Sequence, residues 1–264
     1  MHMKTQPIFN IKMLDIQLPE LLAQMDSGVL ITPNVDHLMK LQKDHDFYQI
    51  YNQAEWIICD SNIVQLGLRL LGRPVRQVIP GSTLFPMYYH YHKAHEDISL
   101  FLLGAAPGIA QKAAANINQK TGRHMVVGAH SPSFGFEKNE AECQEIIALI
   151  NQSGASVLVV GVGAPKQEKW IYKYKNQLPG IKLFMALGAT IDFEAGTLKR
   201  APLWIQRLGL EWLYRLVKEP RRLWKRYILD DMPFFYLILK EKLRRYRNPF
   251  AAHPASELVD SPKP

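Results

Sequence analysis

Six short apolar runs, each ending in a break of small or polar residues, constrain the fold of this 264-residue chain more than any other feature. They fall at residues 29–31, 56–59, 99–103, 125–127, 157–160 and 183–187. Stretches with helical apolar spacing follow the first five, at 36–53, 63–71, 108–120, 138–151 and 166–176. Continuous apolar runs suit strands buried on both faces, and strands alternating with helices in units of this size imply crossover connections. The expectation is an α/β fold with a doubly wound, mainly parallel, Rossmann-like sheet. With 47% hydrophobic residues the chain can bury one large core.

Such sheets take ligands just beyond the carboxyl ends of their strands. The residues expected there are Thr32-Pro33-Asn34, Asp60-Ser61-Asn62, Gly104 to Gly108, Gly128 to Pro132, Gly161 to Gln167, and Gly188-Ala189-Thr190. Any one of these segments could simply be a turn. Together they bring a carboxylate, an amide and hydroxyls to one edge, as a cleft requires. In residues 156–170, SVLVVGVGAPKQEKW, Gly161 and Gly163 allow close approach to the backbone before a helix whose N-terminal N–H groups favour anions. The stretch carries neither the six-residue glycine fingerprint of dinucleotide folds nor the Gly-Lys-Ser/Thr of a P-loop. Gln167 suits a contact with a base or sugar edge, or a solvated first helical turn. Asp60 can serve as a general base or cap a helix starting near Asn62, and the residues alone leave both open.

The net charge of +8 is unevenly spread: residues 198–247 hold fourteen Lys/Arg against five Asp/Glu, so the rest of the chain is close to neutral. A basic segment of this kind meets something anionic, such as a phosphate-bearing ligand, an acidic lipid surface or nucleic acid. Its tryptophans, Trp204, Trp212 and Trp224, alternate with arginines. Apolar spacing predicts an amphipathic helix over 202–218, and Glu219-Pro220 separates it from a second helix running from Arg221 past Ile228. The expected organisation is a core at 1–197, a small helical appendage at 198–250, and a polar, disordered tail at 251–264.

Cys59 and Cys143 match no metal spacing and suit a reducing, cytosolic setting. Residues 1–10 have no apolar core, so no leader is expected. The apolar stretch 232–239 contains Pro233 and is far shorter than the roughly 20 residues that span a bilayer. Asp44-His45-Asp46 falls inside an expected helix, and His90, His92 and His95 do not share one helical face, so no metal is expected. No Gly-x-Ser-x-Gly elbow is present.

Several of these segments resemble, in order, the WecG/TagA/CpsF family of bacterial glycosyltransferases. They are Thr32-Pro33-Asn34, Asp60, Pro80-Gly81-Ser82, the segment 104–108, Gly161 through Glu168, Gly188 through Gly196, Lys199-Arg200-Ala201-Pro202, 209–216 and Glu219 through Arg222. The resemblance spans about residues 5 to 230. It implies an inverting, metal-independent transferase without a cofactor. The enzyme would move a sugar from a UDP-sugar to a saccharide on a polyprenyl diphosphate, at the inner face of the cytoplasmic membrane.

Carried over residue by residue, the resemblance makes Asp60 the general base and Thr32, Asn34, Gly104, Gly163 and Gln167 substrate-pocket residues. Arg215, Arg222 and Arg226 would close over the diphosphate. The chain departs from the family pattern where Ser61-Asn62-Ile63 follows the aspartate in place of glycines, and where Gly81-Ser82-Thr83 replaces Gly-Ser-Asp. An arginine usual before that glycine is out of register, with Arg76 nearby. A nicotinamide-dependent oxidoreductase and a non-enzymatic basic membrane adaptor remain alternatives, nucleic acid is not an expected partner, and self-association stays open.

Overall fold

The computed structural model describes residues 3–198, 200–202, 204–205, 210–218, 220–225 and 230–251. All six apolar runs become parallel strands: β3 (Gly28–Ile31), β4 (Trp56–Ile57), β5 (Leu100–Gly104), β6 (Val126–His130), β7 (Val157–Gly161) and β8 (Leu183–Ala186). They pair in the order β4-β3-β8-β7-β5-β6. A separate antiparallel hairpin, β1 (Thr5–Ile8) and β2 (Ile11–Leu14), and a first helix, α1 (Leu18–Gln24), precede them. The chain leaves β3 toward one edge of the sheet, while β8 arrives beside β3 from the other side through β7. The chain leaving β3 passes to the face where Val35, Leu38 and Phe47 pack, whereas the chain leaving β8 passes to the opposite face with Ile191, so a crevice opens between the carboxyl ends of these neighbouring strands.

Period-2 geometry sends alternate residues to opposite faces. Along β7, Leu158 and Val160 enter one apolar cluster with helices α3 (His45–Gln53), α7 (Glu140–Ser153) and α8 (Lys166–Tyr174). Val157 and Val159 enter the other, against α5 (Gly81–Tyr91) and α6 (Ile109–Thr121). Both faces are covered, so the strands read as unbroken apolar runs. β6 runs on through Gly128 to His130, although those residues were expected beyond the strand. The strand position at 128 requires glycine, because a Cβ there would lie 2.5 Å from the Phe101 ring.

The expected helix at 36–53 is two helices, α2 (Val35–Lys40) and α3. Asp44, read as mid-helix, is instead the N-cap of α3 and accepts from the Phe47 N–H at 3.0 Å. Between β4 and β5 lie both α4 (Asn62–Leu70) and α5, the second of which the apolar spacing did not reveal.

In the basic C-terminal region the expected helix over 202–218 is not continuous: residues 202 and 210 lie outside any helix and Glu211–Lys218 forms one of its own, while Pro220–Lys225 falls where the second was expected. The expected tail lies outside the described residues from position 252 onward, as does Arg226. A further helix, Pro233–Lys242, packs into the main core through Phe234 and Ile238, which are 0% and 3% exposed. It seats on Gly67 of α4, where an added Cβ would meet the Phe234 ring at 2.7 Å and Ile238 at 2.9 Å. Glu241 ties the same helix down by accepting from Arg73 at 2.7 Å and from the Phe9 N–H at 2.8 Å. Among the described residues no helix is long and apolar enough to cross a membrane.

Because those buried side chains have no room to retreat, Gly67→Val should destabilise the protein by about 1–3 kcal/mol. It should also expose Arg244, Arg245 and Arg247 to trypsin. Urea denaturation and limited proteolysis check this.

Candidate functional site

Asp60 reaches the carboxyl edge because pairing between β3 and β4 continues past the strand itself. The Ile58 N–H donates to the Ile31 carbonyl at 3.0 Å, and the Asp60 N–H to the Pro33 carbonyl at 3.3 Å. The segment entering α5 then lies beside this one, with the Ile79 N–H donating to the Cys59 carbonyl at 2.8 Å. As a result the first N–H of α5, from Gly81, donates to Asp60 Oδ1 at 2.8 Å. Asp60 therefore does not cap α4, whose N-cap is Ser61; it sits at the N-terminus of α5, where the helix dipole favours an anion.

A cavity of about 290 Å³ opens in front of it. Asn34, Asp60, Ser61, Asn62, Ser82, Glu211 and Asp231 form its polar wall, the last two being carboxylates that the sequence did not single out, and Ile63, Phe193, Trp212, Met232 and Phe235 form its apolar one. Glu211, Trp212, Asp231, Met232 and Phe235 come from the C-terminal region, so the basic segment completes this site. A few polar groups set in an apolar surround are what small-molecule pockets require. Among the described residues no cluster of His, Cys, Asp or Glu is arranged to hold a metal ion. Burial pushes the Cys59 thiol, next to Asp60, up to about 12 and keeps it protonated.

The other expected site residues distribute along the same edge. Thr32 is buried, and its hydroxyl lies 3.6 Å from where a Gly81 side chain would begin. Asn34 is the N-cap of α2 and accepts from the His37 N–H at 3.2 Å. Gly104 ends β5 against Gly161, so closely that a Cβ would collide with the Gly161 carbonyl. Gly163 has φ of +87°, a conformation that favours glycine. Arg215 and Arg222 lie on the helices Glu211–Lys218 and Pro220–Lys225.

Arg76, the nearby arginine, does not line the cavity; it donates to the Asp15 carbonyl and to the Glu20 carboxylate. Thr83, standing where the family pattern has aspartate, accepts from Arg200 Nη2 at 3.1 Å, and the Glu211 carboxylate lies 4.0 Å from Arg200. Those contacts join the start of α5 to the helix that carries Trp212. Of the histidines, His92 and His95 approach within 3.5 Å of each other at the opposite end of α5.

Gln167 is 2% exposed, and its hydrogen bonds stay within the protein. Its Oε1 accepts from the N–H groups of Gly163 at 3.1 Å and Gly188 at 3.2 Å, bridging the loops after β7 and β8. Its Nε2 donates to Glu168 Oε1 at 2.8 Å. Glu168 is a member of the site region that the sequence did not flag, since an acid in a first helical turn ordinarily points to water. Here it is fully buried, and burial raises its carboxyl to about 7. Near the same helix start the exposed ring of Phe134 has Lys166 Nζ 4.8 Å from its centroid.

The cavity thus belongs to the class of α/β enzymes that take small polar substrates at a topological switch point. Residues 6–248 match the model of the Glycosyl transferase WecG/TagA/CpsF family, and the chain belongs to that family. It is therefore a glycosyltransferase of cell-surface polysaccharide synthesis.

Since the Glu168 carboxyl is raised from 4.5 to about 7, it favours the folded state below pH 4.5 and loses that contribution as pH rises toward 7. Glu168→Gln removes the loss. The variant should match the native protein near pH 4.5 and exceed it by up to about 3 kcal/mol at pH 8. Urea denaturation at the two pH values provides the comparison.

Proposed function

We propose that the protein is an inverting, metal-independent hexosyltransferase that uses a UDP-sugar, with an N-acetylmannosamine-like or other hexose, and a polyprenyl-diphosphate-linked saccharide. The observation that carries this reading is the placement of Asp60 on the wall of a half-apolar cavity, beside the loops that end β3 and β8. In the reaction Asp60 takes the proton of the acceptor hydroxyl as its oxygen attacks the anomeric carbon. The bond from that carbon to the UDP oxygen breaks, and UDP leaves with the electron pair. Attack opposite the leaving group inverts the configuration. Arg215, Arg222 and Arg226 offset the charge that develops on the diphosphate, a role suited to guanidinium groups.

Association with the inner membrane face is supported by the outer surface of the same C-terminal region. Trp204, Val217 and Trp224 are exposed there, and Lys218, Arg221 and Lys225 are exposed on the same two helices. Tryptophan at headgroup depth combined with lysine and arginine suits an anionic bilayer surface. Because Pro233–Lys242 belongs to the core, point substitutions test this better than truncation does.

Asp60→Asn should lower UDP release in the presence of a short polyprenyl-diphosphate saccharide by about 10²–10⁴-fold. UDP affinity should stay within about threefold of native, and EDTA should leave the native rate unchanged. An Asp60→Asn enzyme with native turnover would rule out the base assignment. Val217→Glu combined with Trp224→Glu should abolish sedimentation with phosphatidylglycerol vesicles without lowering the melting temperature.

A further inference from the structure

An amide side chain is nearly symmetric in shape, so its hydrogen-bond partners alone decide which end points where. Gln167 faces two donors on one side, the N–H groups of Gly163 and Gly188, and one acceptor on the other, Glu168 Oε1. Turning the amide over would place its NH₂ against two N–H groups and its oxygen against a carboxyl oxygen. Removing the acceptor instead would leave the NH₂ buried without that partner. The arrangement carries a cost, because Glu168 is fully buried and its Oε2 has no hydrogen-bond partner. A leucine of similar size would suit that location better in packing terms alone.

We infer that Glu168 is a positioning residue. Its carboxyl locks the Gln167 amide in the one orientation that holds the loops after β7 and β8 together by their Gly163 and Gly188 N–H groups. The lock reaches further along the edge. Residues 188–190 lead to Thr190, whose hydroxyl lies 3.5 Å from where a Gly81 side chain would begin, and the Gly81 N–H holds Asp60. Glu168 thereby fixes the donor-side loops and the floor beneath Asp60 without touching substrate. That functional consequence rests on the UDP-sugar reading above, whereas the lock itself does not.

The test compares native protein, Glu168→Leu, Glu168→Gln, Gln167→Ala and the Gln167→Ala/Glu168→Leu double variant. Three readouts are used: thermal midpoint, hydrogen exchange at the Gly163 and Gly188 amides, and calorimetric affinity for UDP. Glu168→Leu should melt no lower than native yet exchange both amides about tenfold faster and bind UDP about tenfold more weakly, the scale of one buried hydrogen bond. Glu168→Gln keeps an oxygen acceptor and should retain amide protection. The double variant should be no worse than Gln167→Ala, since Glu168 acts through Gln167.

Native exchange rates in Glu168→Leu would overturn the inference, as would losses that multiply in the double variant. If native protein fails to bind UDP but the exchange pattern holds, the lock stands and the nucleotide reading falls.

Discussion

Parallel pairing is the constraint on which the rest of this molecule depends. It sends every strand's carboxyl end to one edge, so Asn34 and Asp60 line one cavity there and Gln167 ties two loops together along the same edge, each because it follows a strand. The chain then leaves the neighbouring strands β3 and β8 toward opposite faces of the sheet, so the edge between them stays open. Backbone geometry sharpens the result. The Gly81 N–H at the head of α5 aims at Asp60, and the Gly163 and Gly188 N–H groups converge on one amide oxygen.

The C-terminal region closes the cavity on its other side and divides into parts with different physical jobs. Helix Pro233–Lys242 buries Phe234 and Ile238 in the core. Helix Glu211–Lys218 contributes Trp212 to the cavity while leaving Val217 exposed. A single basic segment therefore combines core packing, a cavity wall and an outward apolar surface, which explains why its charge pattern resisted a single interpretation.

How far the sequence revealed this follows from what each residue faces. The strands were legible because burial on both sides leaves an unbroken apolar signature, as in 157–160. The hairpin β1–β2 was not, since β1 buries only Ile8 fully. Helix α5 was obscured by Pro86 and by apolar residues on several sides, and the division between α2 and α3 turns on the Asp44 cap. Asp60 was legible from its place after an apolar run. Glu168 was not, because Lys-Gln-Glu-Lys at a helix start looks solvated, and only the fold shows that this carboxyl turns inward. Nor could spacing show that Gly67 accommodates Phe234, more than 150 positions later.

The proposed activity requires a nucleotide to bind at the carboxyl edge where β3, β8 and β7 end. The most direct measurement is amide chemical-shift mapping of isotopically labelled protein during titration with UDP. Saturable shifts are expected at Gly81, Gly163 and Gly188, with Ser156 and Lys182 at the opposite edge unmoved. Shifts confined to Ser156, Lys182 and the neighbouring His92 would contradict it.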